Sequence, residues 1–226
     1  MRIISIGEIL WDVYEDEEHI GGAPFNFSVN ANRLGHKVYF ISAVGDDYFG
    51  KYILDYINST NVNTEFIQII KNKKSGMSVA ISDKDGEYGA VVISGVNLHI
   101  NSEVFNDSAV WEKCKILMIQ NEVEDALNIQ AAKKAREHGL KICLNASPPQ
   151  KISSNLITNT DIIIVNLIEA EKISQKKISS IEDAKKIAKE FTKQFELAII
   201  TIGEKGVVTC ARNNNPFSIL AKTLIC

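Results

Sequence analysis

The sequence has few cysteines and no motif that pairs them. Cys114, Cys143, Cys210 and Cys226 are scattered, and no Cys-x-x-Cys spacing occurs. Scattered cysteines without such a pair disfavour both a zinc site and a disulfide framework. The first three cysteines lie in or beside apolar runs. We therefore expect buried, reduced thiols.

Long apolar runs are also missing. A membrane-spanning helix needs about 18 apolar residues, and no segment approaches that length. The N-terminal run MRIISIGEIL is interrupted at Glu8, too early for the apolar region of a signal peptide. These features predict a cytoplasmic protein with no membrane partner.

The chain also has no large excess of charge of either sign. The chain has 25 Lys and Arg against 28 Asp and Glu, a net charge of −3 and a pI near 5.9. This balance gives no electrostatic reason to expect a nucleic-acid partner. Repeats and low-complexity linkers are absent as well. With 226 residues, 45% of them hydrophobic, the sequence predicts a single globular domain over 1–226.

The fold class follows from alternating apolar and amphipathic segments. Residues 180–195 predict a helix that Ser180 and Asp183 begin, and residues 124–138 predict another that stops at Gly139. Strands alternating with helices predict an α/β fold, a three-layer, doubly wound, mostly parallel sheet. Six runs predict buried strands: RIISIG, VYFISAVG, KILMIQ, LKICLN, DIIIVN and LAIITIG.

Two regions depart from this alternation. Residues 64–93 contain three strand-like runs, TEFIQII, GMSVAIS and YGAVVIS, and an Asp-Gly turn in DKDGE. They predict a small antiparallel sheet, a lid formed by about 13–20 and 64–97. After GVVTC the chain supplies no further helix, so we expect the last helical layer to be incomplete.

The segment GGAPFN, residues 21–26, is the first candidate binding element. Gly21 and Gly22 allow close backbone approach, and Pro24 suits the first turn of a helix. Free N–H groups there, with the amide of Asn26, can bind hydroxyl or carbonyl oxygens. Asp12 nearby can accept hydrogen bonds from two hydroxyls of a polyol. A plain strand-to-helix turn and an exposed loop acid are the alternatives.

Further polar residues follow other strands, where α/β sheets bind ligands. Gln120 and Glu122 follow one strand. Asn166 and Glu169, an amide and a carboxylate, suit a hydrated Mg²⁺ and its phosphates, or only a helix cap. TIGEKG, 201–206, is a glycine-bounded turn that suits phosphate or an ordinary hairpin. Neither a P-loop nor a G-x-G-x-x-G motif is present.

In this order the motifs resemble the ribokinase-like (PfkB) carbohydrate kinase family, and within it the fructokinases. The resemblance covers residues 1–208 and is most specific in GEILWD and GGAPFNFSVNANRLGHKVYFISAVGDDYFG, with IQNE, LNASP, VNLIEAEKI and TIGEKGV following. It implies ATP-dependent transfer of a phosphoryl group to a primary sugar hydroxyl, with Mg²⁺ as cofactor.

The resemblance also implies roles for individual residues. Asp12, Gly22, Ala23, Asn26 and Glu122 would bind the sugar. The nucleotide would contact Asn166, Thr201, Gly203, Lys205 and Gly206, and Glu169 would hold Mg²⁺ through water.

The sequence departs from the family at one motif. Family members carry a Gly-Ala-Gly-Asp turn whose N–H groups stabilise the migrating phosphoryl group and whose Asp is the base. Residues 1–226 contain no such turn; VGDDYFG is not a substitute, since Asp46 or Asp47 is expected to cap the next helix. We therefore expect a C-terminally truncated kinase with its base beyond Cys226 and impaired activity.

Several functional readings stay open. The first is conversion of D-fructose to fructose 6-phosphate. The second is a non-catalytic remnant that binds sugar and nucleotide. A nucleoside or 2-keto-3-deoxygluconate kinase is the third, and an aromatic side chain stacked on a base, from Trp11, Phe25 or Phe27, would indicate a nucleoside. The lid, in many relatives a dimer surface, suggests a homodimer.

Overall fold

The computed structural model describes residues 1–14, 17–82 and 88–221. Its central sheet has nine strands in the order β13-β12-β11-β10-β9-β8-β1-β4-β5. The strands from β5 across to β11 are parallel, and β12 and β13 are antiparallel. The sheet contains β1 Arg2–Ile6, β4 Lys37–Gly45, β5 Ile67–Ile70, β8 Cys114–Gln120, β9 Lys141–Asn145, β10 Ile162–Asn166, β11 Leu197–Thr201, β12 Val207–Ala211 and β13 Phe217–Ile219.

Seven α-helices connect or flank these strands in the described ranges. They are α1 Ala23–Arg33, α2 Tyr48–Ser59, α3 Ser108–Trp111, α4 Asp125–Glu137, α5 Ser154–Asn159, α6 Leu167–Ser174 and α7 Ile181–Phe191. The six predicted strands are β1, β4, β8, β9, β10 and β11, and the two predicted helices are α4 and α7. The α/β, mostly parallel class is therefore confirmed.

A second sheet of four strands, called the lid sheet below, corresponds to the small antiparallel sheet of the prediction. Its order is β3-β2-β6-β7, and it is antiparallel except where β2 and β6 run parallel. The strands are β2 Leu10–Val13, β3 Glu18–Gly21, β6 Met77–Ser82 and β7 Tyr88–Ile93. The predicted turn DKDGE lies outside the described residues, as do residues 15 and 16 of the segment 13–20.

One strand of the predicted lid belongs elsewhere. TEFIQII supplies β5, which pairs in parallel with β4 at the edge of the central sheet, so the prediction that it joins the antiparallel sheet is wrong. The reason is α2, which lies between β4 and β5 and returns the chain to the same end of the sheet. A strand, a helix and a strand in that order form a parallel unit.

Local signals at helix ends are confirmed. The Ser180 hydroxyl accepts a hydrogen bond from the Asp183 N–H (3.1 Å) where α7 begins. Gly139 follows α4 with φ +72°. Asp47 is the N-cap of α2 and accepts from the Gly50 N–H at 2.9 Å. These contacts satisfy N–H groups that a helix end otherwise leaves free.

The two faces of the sheet are covered to different extents. On one face α4, α6 and α7 bury the strands, and Ile163, Ala198, Ile200 and Val208 are fully enclosed. On the other face α1 and α2 cover β1 and β4, and α1 reaches β8. Beyond that point the side chains of Ile162, Ile164, Leu197 and Ile199 are only half-buried. Within the described residues, this part of the second face is therefore less covered than the rest of the sheet.

The cysteines agree with the prediction as far as they are described. Cys114, Cys143 and Cys210 are buried and free, and burial raises the pKa of the Cys143 thiol to about 12. Cys226 lies outside the described residues. Within the described ranges, none of the helices has the length and apolar content needed to cross a membrane.

Candidate functional site

The GGAPFN segment forms the junction between the lid and the central domain. Gly22 is the N-cap of α1 with φ +101°, and Pro24 stands in the first turn. A Cβ on Gly22 would lie 2.7 Å from the Glu8 carbonyl oxygen. Glycine is therefore required here for both conformation and space.

Asp12 lies against this junction from the neighbouring lid strand. On β2 it accepts a hydrogen bond from the Ser78 hydroxyl of β6. A Cβ on Gly21 would collide with the Asp12 carboxylate, so the glycine leaves room for the carboxylate beside the turn. Asp12 is half-buried, which leaves part of it accessible to a ligand.

Two further carboxyl groups lie near Asp12. Glu8 follows β1 and is 2% exposed. Burial, with the charges of Glu122 and Asp12 adding to it, raises the pKa of Glu8 to about 8. Burial and the charge of Asp12 raise the pKa of Glu122 as well. The fold thus brings three acidic groups together at the carboxyl ends of β1 and β8.

Ala23 and Asn26 complete the predicted sugar-binding set. Both are exposed in the first turn of α1. The Ala23 N–H donates to Glu8 Oε1 (2.9 Å), and the Asn26 N–H donates to the Gly22 carbonyl (2.9 Å). All five predicted sugar residues therefore lie around one junction, with Glu122 linked to it through Asp12.

The aromatic side chains near this junction serve packing. Phe25 is 2% exposed and packs on Phe40 and Tyr56. Phe27 packs against the small cluster of Ile3, Ala31 and Val38. The Trp11 ring stacks on Phe49 with 4.0 Å between centroids. Since Phe25 is enclosed, it cannot stack on a nucleoside base.

The predicted nucleotide residues lie at the carboxyl ends of β10 and β11. Asn166 and Thr201 are direct partners in the parallel register. At about 4.8 Å between neighbouring strands, β10 lies roughly 14 Å from β1, three strands away. That separation suits two ligands side by side along one edge of the sheet.

Asn166 and Glu169 form a complete helix cap. The Asn166 side chain accepts from the Glu169 N–H (2.9 Å), and the Glu169 carboxylate accepts from the Asn166 N–H (2.7 Å). Asn166 is exposed, whereas Glu169 is 2% exposed. The helix-cap reading of the pair is confirmed, and this cap fixes the Asn166 side chain at the start of α6, next to the carboxyl end of β10.

The same residues limit how Mg²⁺ could be held at this edge of the sheet. No group of three His, Cys, Asp or Glu in the described ranges is arranged to hold a metal ion. Because the Glu169 carboxylate is buried, direct coordination does not fit. What fits is a hydrated ion that arrives with nucleotide phosphates, which is how Mg²⁺ is commonly bound.

TIGEKG forms a hairpin turn between β11 and β12. Gly203 has φ +58°, and a Cβ on Gly206 would collide with the Ile219 carbonyl. The N–H groups of Lys205 and Gly206 donate within the turn, to the carbonyls of Ile202 (3.2 Å) and Gly203 (3.0 Å). These two groups are therefore not free for phosphate, although Thr201 and the Lys205 side chain are exposed.

Two cavities lie near these groups. One of about 370 Å³ is lined by Glu122, Asn121, Asn128 and Gln150, beside the sugar-binding set. Another, about 620 Å³, lies between the 149–152 loop and helices α6 and α7. The larger one contains none of the predicted site residues, so its size does not indicate the reaction site.

The predicted set omitted two residues that organise the sugar end. Glu8 is not among the predicted site residues, although an acid directly after Gly7 at a strand end is a usable signal. Ser78, which donates to Asp12, carries no sequence signal, because only the pairing of β2 with β6 brings it there.

The fold and the candidate site together define an α/β protein in which three acidic groups lie against a glycine turn at one part of the sheet edge, and an exposed, glycine-bounded turn lies at another. The model of the pfkB family carbohydrate kinases matches residues 5–223, and the chain belongs to that family.

Relatives and solved structures agree with this assignment. The chain is 34% identical to a ribokinase of Haemophilus influenzae over 189 residues, 83% of this chain and 62% of that protein. It is 29% identical to mouse ribokinase over 191 residues, which cover 83% of this chain and 59% of the mouse protein. The chain thus spans about three-fifths of the length of these curated relatives.

The fold matches solved structures more completely. Arabidopsis thaliana ribokinase complexed with ribose and ATP superposes with a TM-score of 0.87 at 19% identity, covering 97% of this chain and 77% of that one. Halothermothrix orenii fructokinase superposes with a TM-score of 0.79 at 22% identity, covering 97% of this chain and 85% of that one. At these identities the likeness shows the ribokinase-like fold.

Proposed function

We propose that this chain carries the sugar-binding and nucleotide-binding edge of an ATP-dependent sugar kinase. The observation that carries the proposal is the constellation of Glu8, Asp12 and Glu122 against the Gly22 turn at the start of α1. Carboxylates accept hydrogen bonds from neighbouring hydroxyls, and the α1 terminus offers N–H donors. Together they suit a neutral polyol.

Each residue has a proposed role. Asp12 accepts hydrogen bonds from two sugar hydroxyls, Asn26 and the Gly22–Ala23 backbone bind a third oxygen, and Glu122 closes the far side. Asn166, Thr201, Gly203, Lys205 and Gly206 line the nucleotide. Glu169 acts through Asn166, which it holds by the helix cap, and through the water shell of Mg²⁺.

Bound MgATP would supply the phosphoryl group and neutralise part of its charge. The part of this chain is to hold a primary sugar hydroxyl in line with that group and to exclude water with the lid. The sequence 1–226 contains no Gly-Ala-Gly-Asp turn. We propose that transfer by these residues alone is slower by about 10²–10³ for the missing N–H donors, and by a further factor for the base.

The sugar itself is the finer part of the proposal. GEILWD resembles the fructokinases, whereas the two relatives reported above are named ribokinases. Calorimetric titration with D-fructose and with D-ribose separates the two. Binding of either sugar, with slow or no ADP release when MgATP is then added, supports the proposal, and absence of binding of both sugars would overturn it.

A homodimer through the lid is proposed as well. Strand β7 is an edge of the lid sheet and exposes Val91 (57%), Val92 (45%) and Ile93 (51%). Exposed apolar edge strands pair readily with a second copy. Sedimentation of the wild type and of Val91→Lys tests this: a dimer that becomes a monomer supports it, and a wild-type monomer contradicts it.

A further inference from the structure

Glu8 is the carboxyl group whose surroundings demand an explanation. It follows Gly7 at the end of β1, yet it is as buried as the core residues around it. Carboxyl groups are rarely enclosed to this degree unless their oxygens are paired. Only one oxygen of Glu8 is paired within the described part of the chain.

The paired oxygen holds the start of α1. Glu8 Oε1 accepts from the Ala23 N–H at 2.9 Å. Gly22, the N-cap residue, has no side chain to do this, so Glu8 provides the acceptor from 15 residues earlier in the chain. The carbonyl of Glu8 also packs against Gly22. Backbone and carboxyl group together fix the turn that presents Asn26.

The other oxygen, Oε2, is buried and lacks a hydrogen-bond partner among the described residues. A carboxylate in that position would hold an uncompensated charge away from water, which is strongly disfavoured. A neutral acid carries no such penalty. It still offers Oε1 as the acceptor that the Ala23 N–H requires.

The charged groups that act on Glu8 favour the same state. Asp12 on β2 and Glu122 beyond β8 are both acidic, and each opposes a negative charge on Glu8. The groups that approach from α1 and from the 95–99 turn carry no charge: the Ala23 N–H, and Asn97, which binds the backbone of Ile9. The hydrogen bond from the Ala23 N–H lowers the pKa of Glu8, but burial and the two acidic groups outweigh it. Burial with these charges raises the pKa of Glu8 to about 8.

We propose that Glu8 is a positioning residue of the sugar site, which as a neutral acid holds the Gly22–Ala23 turn in the sugar-binding conformation and on losing its proton disrupts that site. The ionised side chain would be the third negative charge beside Asp12 and Glu122. Repulsion and the need for water would drive it outward and break its bond to Ala23. This inference rests on the proposed sugar binding.

The test is the pH dependence of sugar affinity. D-ribose and D-fructose are titrated calorimetrically into the chain between pH 6 and 9.5. Wild-type Kd is expected to stay constant up to about pH 8 and then to rise by up to tenfold per pH unit, since binding is linked to one proton. Titration at pH 8.5 in two buffers of different ionisation enthalpy should show uptake of up to one proton per sugar.

Glu8→Gln assigns the effect to this residue. Glutamine keeps an oxygen for the Ala23 N–H and does not ionise, so its Kd should be flat across the same range. Glu137→Gln, an exposed position at the end of α4, is the matched control and should behave as the wild type. A Glu8→Gln profile that still rises above pH 8 would overturn the proposal and point to Glu122.

If the Glu8→Gln variant does not fold, a second measurement on the wild type still tests the proposal. In ¹⁵N-labelled wild type the Ala23 amide resonance reports its carboxyl partner. It should titrate near pH 8, and at higher pH when sugar is bound. An Ala23 resonance that does not titrate overturns the inference, as does pH-independent sugar binding by the wild type. Absence of sugar binding at every pH overturns both this inference and the proposed function.

Discussion

The sugar end and the nucleotide end of the sheet edge are built differently. At the sugar end, β1, β2 and α1 meet in a tight junction. The space that a Cβ would need on Gly21 is occupied by Asp12, and on Gly22 by the Glu8 backbone. At the nucleotide end, Gly206 is also tightly packed, against the Ile219 carbonyl, but Gly203 has nothing within 4 Å of an added Cβ, and Thr201 and Lys205 are exposed.

From this difference we predict which end of the sheet edge binds its ligand through the described residues alone. A junction held by buried contacts is preorganised, so it loses little entropy when a ligand binds. An exposed turn beside a half-covered sheet face needs further contacts to be ordered. We therefore expect sugar binding to depend on this chain's own residues more strongly than nucleotide binding does.

Replacing Asp12 should have the largest effect. Asp12→Ala removes a charged acceptor for two hydroxyls, and each such hydrogen bond contributes about 1.5–3 kcal/mol. Sugar affinity should fall by roughly 100-fold or more, while MgADP affinity stays unchanged. Calorimetry with each ligand measures both. Equal losses for sugar and nucleotide would show that the two ends are not independent.

Two glycine substitutions compare the ends directly. In Gly22→Ala the added Cβ would collide with the Glu8 carbonyl, and the alanine would have to adopt φ +101°. The substitution should therefore lower the free energy of unfolding by about 2–3 kcal/mol. Gly203→Ala has free space and should lose only about 1 kcal/mol for its left-handed backbone. Urea unfolding measures both values. Equal losses would contradict the contrast in packing.

The stability of the chain should fall as the pH rises through the pKa of Glu8. Its ordinary pKa of 4.5 is raised to about 8 in the fold, so the folded state retains a proton that the unfolded chain has released. The stability linked to that proton is complete below pH 4.5 and is lost as the pH passes 8.

Relative to Glu8→Gln, the wild type should therefore lose up to about 4 kcal/mol between pH 5 and pH 9. Thermal unfolding at several pH values measures the gap between the two proteins. A gap that stays constant with pH would show that Glu8 ionises freely in the folded state.

The smallest effect is expected at the nucleotide end. Asn166→Ala removes the cap of α6 and should lower the free energy of unfolding by about 1 kcal/mol. MgADP affinity should weaken, and sugar affinity should be unchanged. Ser180→Ala is a matched control, because it removes the cap of α7 at a comparable loss in stability without touching the sheet edge.

Much of the fold could be predicted because its signals are local. The strand DIIIVN and the helix that Ser180 begins depend on apolar periodicity and one hydroxyl cap, and both form where expected. TEFIQII was misplaced because its own alternation suits any edge strand. Its partner is decided by α2, which precedes it, rather than by its own residues.

The site was predictable in its positions and less so in its interactions. GGAPFN and Asp12 stand at strand ends, where ligands bind, so their place followed from the chain. The raised pKa of Glu8 depends on burial, Glu122 and Asp12, which come together only in the fold. The bond from Ser78 to Asp12 likewise spans 66 residues and needs the lid sheet.

The most direct test of a sugar site formed by this chain is thermal unfolding with and without saturating D-ribose or D-fructose, for the wild type and for Asp12→Ala. A sugar at about 100 times its Kd adds about 2.7 kcal/mol to the folded state. We predict that at least one sugar raises the wild-type midpoint and leaves that of Asp12→Ala unchanged. No shift with either sugar, or the same shift in both proteins, would contradict the account.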